Sequence, residues 1–235
     1  MWLAAARSNN DPEQVCTYFA AYIKEINGLP YAIRADRGNE NINIEAMQRL
    51  LRSLNDDERS ELQTNFMCGQ STSNQRIEAF WSILPCLGMK VWINFFQMME
   101  NFGIIDTSSV LDIECVRFVF MDLLNIGLHQ IKDDWNVHYV RHSKASLAPS
   151  GRPEIMYNLP EAYNVPSYRC DLDVSLCSAL CDITCVKLPA CREPYFTIFQ
   201  SIMSENGHEK PSSLVGGAML FCTLLDRIEE ECENL

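Results

Sequence analysis

Across the first 84 residues, short apolar runs alternate with segments that carry helix signals, and this alternation limits the fold more than any other feature. Met1–Ala6 reads as a strand. Asp11-Pro12-Glu13 then supplies an N-cap, a first-turn proline and an acid at the positive helix end. Val15, Phe19, Tyr22, Ile23 and Ile26 keep helical spacing until Asn27-Gly28 stops the run. Tyr31–Ala35 is a second strand, left by the turn Asp36-Arg37-Gly38, where the glycine is read as permitting a tight turn. Ile44–Leu54 is a helix with Met47, Leu50, Leu51 and Leu54 on one face, and Leu62–Cys68 is a third strand. Thr72-x-x-Gln75 fits a capping box before the stripe Ile77, Phe80, Trp81, Leu84, and Pro85 ends that helix.

Only helices follow: Trp92–Asn101, Glu114–Val137, Phe196–Ser204 and Leu214–Asn234, with Ser175–Cys185 a further candidate. Residues 138–168 are rich in proline and serine and read as an extended arm. This order predicts an α/β layer with a mainly helical C-terminal extension. The corresponding domains are residues 1–160 and an acidic, cysteine-rich helical tail over 161–235.

Charge narrows the function classes. The formal net charge is −12, from 31 acids and 19 bases. It falls as −2 over residues 1–95, −4 over 96–165 and −6 over 166–235. Broad electrostatic capture of DNA is therefore disfavoured for the chain as a whole. No apolar run reaches the roughly 18 residues of a membrane span, and Arg7 interrupts the first apolar stretch before a signal peptide could form. A nuclear or cytoplasmic, non-secreted protein without a membrane partner is expected. The 11 cysteines are then read as mostly small buried hydrophobes. Cys170, Cys177, Cys181, Cys185 and Cys191 cluster without any CxxC pair, which argues against structural zinc.

Two carboxylates stand out by position. Asp36 lies just past a strand end, where ligands of α/β sheets gather. Glu78 lies in the second turn of a capped helix, beside the apolar stripe, with Ile77 and Trp81 expected to anchor that helix. Spacing alone does not separate such a pair from solvated surface charges. The surrounding words do more. "RADRGNEN" contributes Asp36, Arg37, Gly38, Glu40 and Asn41, and "GQSTSNQRIEAFW" contributes Gly69, Ser71, Asn74, Gln75, Arg76, Ile77, Glu78 and Trp81. Together with Asp134-Trp135-Asn136 and a downstream Pro153, this pattern over about residues 1–160 resembles the integrase core domain of transposon-derived eukaryotic proteins. That family belongs to the ribonuclease H-like polynucleotidyl transferases with a DDE carboxylate triad.

The resemblance implies that Asp36 is the second and Glu78 the third triad carboxylate, both serving as metal ligands. It implies Mg²⁺, two ions in such sites, driving DNA strand transfer by in-line displacement. It also implies that Asn74, Gln75, Arg76 and Arg37 meet nucleic acid. Glu40 is read as an exposed loop acid.

The chain departs from the family pattern in two ways. Met1–Ala6 aligns best with the third strand of the fold, so a partial ribonuclease H-like fold is expected, without its first two strands and without the first Asp. A catalytically defective copy follows. A homo-oligomer or a strand-complementing partner could fill the gap. The family's basic stretch after the Glu helix is replaced by "LPCLGMKVWIN", where Lys90 is the only base, so weakened DNA contact is expected. The reading from another class is an acidic interaction module that keeps the scaffold and has lost the chemistry.

Overall fold

The computed structural model describes residues 1, 3–54, 65–69, 75–142, 149–173, 175, 178 and 189–233, with the backbone alone at 75, 76, 231 and 233. Two compact units emerge, each built from separate stretches of chain. The first comprises residues 1–2, 8–81 and 132–187, and the second comprises 3–7, 82–131 and 188–235.

In the first unit, α1 (Pro12–Ile26) begins as its sequence demands. Asp11 is extended and its carboxylate accepts the Glu13 N–H at 3.0 Å, with Pro12 in the first turn. Asn27 ends the helix in the left-handed conformation (φ 46°). Two short strands follow, β1 (Leu29–Pro30) and β2 (Ile33–Asp36). A 3₁₀ turn (Asn39–Asn41) leads into α2 (Ile42–Leu54), and the chain returns as β3 (Phe66–Gly69). β2 and β3 are parallel, so α2 lies in the crossover of a β-α-β unit, the connection that parallel strands require. β1 pairs antiparallel with β4 (Arg169–Cys170). Phe19, Ala20 and Ile23 of α1 pack with Leu29, Met47, Leu51 and Cys170.

Helix α2 does not bury the face predicted for it. Leu50 and Leu54 are exposed, while Gln48 and Arg52 are fully buried beside Met47 and Leu51. The reason is polar. Gln48 donates its Nε2–H to the Pro30 carbonyl at 2.7 Å. Arg52 donates to Cys170 Sγ at 2.6 Å and lies over the Tyr31 ring at 5.1 Å. Gln48 satisfies a buried backbone acceptor, and Arg52 packs against the Cys170 sulfur and the Tyr31 ring, so this polar face turns inward.

Met1 and residues 3–6 form no strand, which corrects the first assignment. Leu3 is buried, and the backbone of Ala5 is served by one side chain. Asn125 accepts the Ala5 N–H at 2.7 Å and donates to its carbonyl at 3.2 Å. A side-chain clip replaces a ladder partner. The expected extended arm also holds local structure: a bridge between Val140 and Gly151, α6 (Pro153–Asn158) and a 3₁₀ turn (Pro160–Tyr163).

The second unit is helical. It contains α4 (Met89–Asn101), residues 110–131 of α5 (Val110–Val137), α7 (Glu193–Asn206) and α8 (Leu214–Glu233). Met99, Phe118, Phe120, Phe199, Phe221 and Leu224 form its core. The rings meet edge-on, with Phe96 and Phe120 centroids 5.2 Å apart and Phe118 and Phe196 5.7 Å apart. Glu114 of α5 is buried in this unit. Its carboxylate accepts from Arg117 Nη1 at 2.7 Å and from the Arg192 backbone N–H at 2.8 Å, just before α7 starts.

Gly217 sets how closely α8 approaches α5. A Cβ there would lie 2.3 Å from Cε1 of the buried Phe120 ring. Gly217→Ala is expected to destabilise by about 1–2 kcal/mol, overpacking outweighing the gain in helix propensity. Gly216→Ala, whose Cβ would meet only Ser213 Oγ and Pro211 within 4 Å, should be neutral or slightly stabilising. Urea denaturation of both variants checks this, and equal midpoints would sink it.

Candidate active site

Asp36 is the last residue of β2 and sits in register with Gly69, the last residue of β3. Parallel pairing turns both carboxyl ends the same way, the end at which α/β sheets bind ligands. Arg34 lies two residues back on the same strand face, and its guanidinium covers Gly69, 3.4 Å from where a Cβ would stand. A cation therefore sits over the strand end opposite the carboxylate.

The turn after Asp36 is more organised than its sequence suggested. Asn41 Nδ2 donates to Asp36 Oδ1 at 3.1 Å and to Glu40 Oε1 at 3.1 Å. The two carboxylate oxygens are thus no more than two such bonds apart, and Glu40 is half-buried rather than a free loop acid. Gly38 permits this for a reason other than turn flexibility. Its backbone (φ −87°, ψ 145°) is ordinary extended chain. The Glu40 carboxylate folds into the space a side chain would take, 1.8 Å from an ideal Cβ.

Glu78 lies exposed in the first turn of α3 (Gln75–Ile83), which begins six positions after Gly69. Phe80 is the one buried side chain among residues 77–83. Its ring meets Trp135 edge-on at 5.0 Å and Trp81 at 5.7 Å. Ile77 and Trp81 are exposed, so the expected two-residue anchor is a one-residue anchor. The α-helix ends at Ile83, as Pro85 predicted, and a 3₁₀ turn (Leu84–Leu87) carries the proline. Arg37 is exposed beside Asp36. Asn74, the cap residue Thr72 and the side chains of Gln75 and Arg76 lie outside the described residues, as do Cys177, Cys181 and Cys185.

Among the described residues, no three His, Cys, Asp or Glu side chains are grouped to hold a metal ion. The donors at the strand end are hard carboxylate oxygens, which suit Mg²⁺ completed by water. Asn41 occupies one oxygen of Asp36 and leaves the other for a cation. This donor set fits a single loosely held ion. Two-metal catalysis needs more donors than these two acids provide. Arg34 was not singled out from sequence, although its period-2 spacing with Asp36 was visible, and Asn41 was matched as a motif residue without its role as a donor to Asp36.

The cysteines divide. Cys16, Cys115, Cys170 and Cys191 are buried, whereas Cys68, Cys86, Cys222 and Cys232 are exposed, so burial holds for half of the described thiols. Desolvation pushes the Cys191 thiol up to about 11, with Glu114 nearby adding to it, and raises Cys115 further. A thiolate fraction of about one in a thousand at pH 8 follows for Cys191. Iodoacetamide at pH 8 is expected to label Cys68, Cys86 and Cys232 and to spare Cys115 and Cys191 until denaturant is added. Mass spectrometry of the labelled peptides would reveal any early modification of the buried pair.

No single helix among the described residues is long and apolar enough to cross a membrane. A family model described as integrase core domain matches residues 1–150. No curated protein and no solved structure matches the chain.

Proposed function

The chain belongs to the integrase core domain family, and from that premise we propose that it is a transposon-derived copy of a DDE polynucleotidyl transferase whose catalysis is defective. The family carries the ribonuclease H-like α/β fold and binds DNA. In this reading Asp36 and Glu78 are the second and third carboxylates. One observation supports the assignment above the others: Asp36 closes β2 in register with the end of β3, and the helix that presents Glu78 begins six positions after that end.

Asp36 and Glu78 would hold Mg²⁺, with Asn41 fixing the orientation of the Asp36 carboxylate. Bound there, the metal supplies Lewis-acid stabilisation of charge on phosphoryl oxygens. Arg34 and Arg37 stand where a phosphate backbone would pass, and Asn74, Gln75 and Arg76 would contact it from the start of α3. The family's metal-bridging carboxylate has no counterpart grouped with these acids among the described residues. In the family the strand that carries that acid would lie beside β2. A strand from another chain, or a second copy, could supply that neighbour.

Purified chain with Mg²⁺ and a DNA duplex is expected to show neither cleavage nor strand transfer. Activity that disappears in Asp36→Asn and Glu78→Gln would overturn the defective reading. A second reading is favoured by the charge gradient: an acidic interaction module that has left DNA chemistry behind. It predicts DNA binding too weak to measure at low salt. The transferase-derived reading predicts weak binding with a shallow salt slope, since few phosphates are neutralised.

A further inference from the structure

A concavity of about 940 Å³ lies within the first unit, and Asp36 is not among the residues that line it. Its walls are dominated by tyrosine and proline, including Tyr31, Tyr157, Tyr163, Tyr168, Pro160 and Pro166. Tyr157 and Tyr168 are 54% and 62% exposed, an unusual outlay of flat aromatic surface. The rings are nevertheless held in place. Tyr31 and Tyr168 meet edge-on at 6.1 Å, and Arg52 backs the Tyr31 ring at 5.1 Å. The Tyr157 hydroxyl is hydrogen-bonded to that of Tyr22 at 2.9 Å. The Tyr163 hydroxyl is packed against Gly151, 2.3 Å from where a Cβ would stand.

We infer that this groove binds an extended proline-rich peptide carrying a basic residue. Fixed aromatic rings with phenol groups at their edges suit a polyproline II segment. Pyrrolidine rings fit between the tyrosines, and the ligand's unpaired carbonyls accept from the hydroxyls. Such a ligand is already stiff, so ordering it costs little. Charge complementarity selects the basic partner. Asp171 and the lining cation Arg169 compensate each other at 3.2 Å, which leaves Glu161 as the acid that gives the groove its net charge. The same rings could stack bases, but the lining carries a net negative charge from Glu161 and offers a phosphate backbone no cation other than the paired Arg169. A peptide is therefore favoured over single-stranded nucleic acid.

The test titrates the full chain with a synthetic decapeptide containing two Pro-x-x-Pro turns and a terminal arginine, followed by calorimetry. Saturable binding below about 1 mM is expected, weakening about tenfold or more in Tyr168→Ala. Tyr168 is a mostly exposed ring whose backbone carbonyl still accepts the Tyr31 N–H at 2.7 Å, so this variant keeps the fold. Tyr168→Phe, which keeps the ring, should retain most of the affinity. Replacing the peptide arginine by glutamate should weaken binding at low salt, with the difference shrinking as salt is added. The proposal is overturned if the peptide fails to bind by about 1 mM. It is equally overturned if Tyr168→Ala binds as well as the parent, or if oligothymidylate of matching length binds in place of the peptide.

Discussion

Replacing Glu114 with alanine is expected to lower the unfolding free energy by about 2–4 kcal/mol and the melting temperature by roughly 5–15 °C. The carboxylate is 1% exposed; Arg117 Nη1 meets it at 2.7 Å within α5, and Arg192 Nε at 3.4 Å and the Arg192 backbone N–H at 2.8 Å join α5 to the entrance of α7. Deleting one member of a buried ion pair costs most when the surviving charge stays buried. Here Arg117 and Arg192 are 30% and 62% exposed, so both regain water and the cost falls below that extreme. What remains is the loss of charge-assisted hydrogen bonds and of the anchor on the N–H that precedes α7. Arg192→Ala, which keeps the backbone bond, should cost about 1 kcal/mol or less, as partly exposed pairs do. Thermal unfolding of both variants decides it. Equal losses would mean that the side-chain ion pair, rather than the backbone anchor, carries the effect.

Phe80→Ala is expected to cost about 3 kcal/mol, felt most strongly in α3. Phe80 is the only buried side chain among residues 77–83, and its edge-on contact with Trp135 ties the helix that bears Glu78 to the end of α5. Among the described side chains of α3 nothing else replaces it, since Ile77 and Trp81 are exposed. Trp135 fluorescence should shift, and limited proteolysis should cut α3 before the rest of the chain. Phe80→Leu, which keeps apolar volume but loses the ring contact, should recover about half of the loss. Unchanged fluorescence and cleavage in Phe80→Ala would show that α3 is held by something else.

Much of the fold was legible where a residue's role depends on its neighbours in sequence. Asp11-Pro12 started α1 and Asn27 stopped it because caps are local. The strand before Asp36 and the helix after Gly69 were readable for the same reason. Legibility failed where a side chain answers a distant partner. The Gln48/Arg52 face of α2 is buried because the Pro30 carbonyl takes a donor from Gln48 and Arg52 packs on Cys170 and Tyr31, which helical periodicity cannot register. Met1–Ala6 looked like a strand by composition, yet Asn125, 120 positions away, claims the Ala5 backbone. At the candidate site the two carboxylates were read from motif words. Their setting was not, because the use of Asn41 as a double donor depends on Glu40 folding back over Gly38.

The core shared by α5, α7 and α8 has a consequence for how the protein is made. A ribosome delivers the chain in order, at about 5–20 residues per second. Phe118 and Phe120 emerge long before Phe199, Phe221 and Leu224, the residues that cover them. For several seconds the growing chain therefore shows an uncovered aromatic surface. That interval makes nascent chains of this protein candidates for chaperone capture. It also means that a stalled ribosome, or a premature stop codon before α8, would release an adhesive fragment rather than a small stable domain.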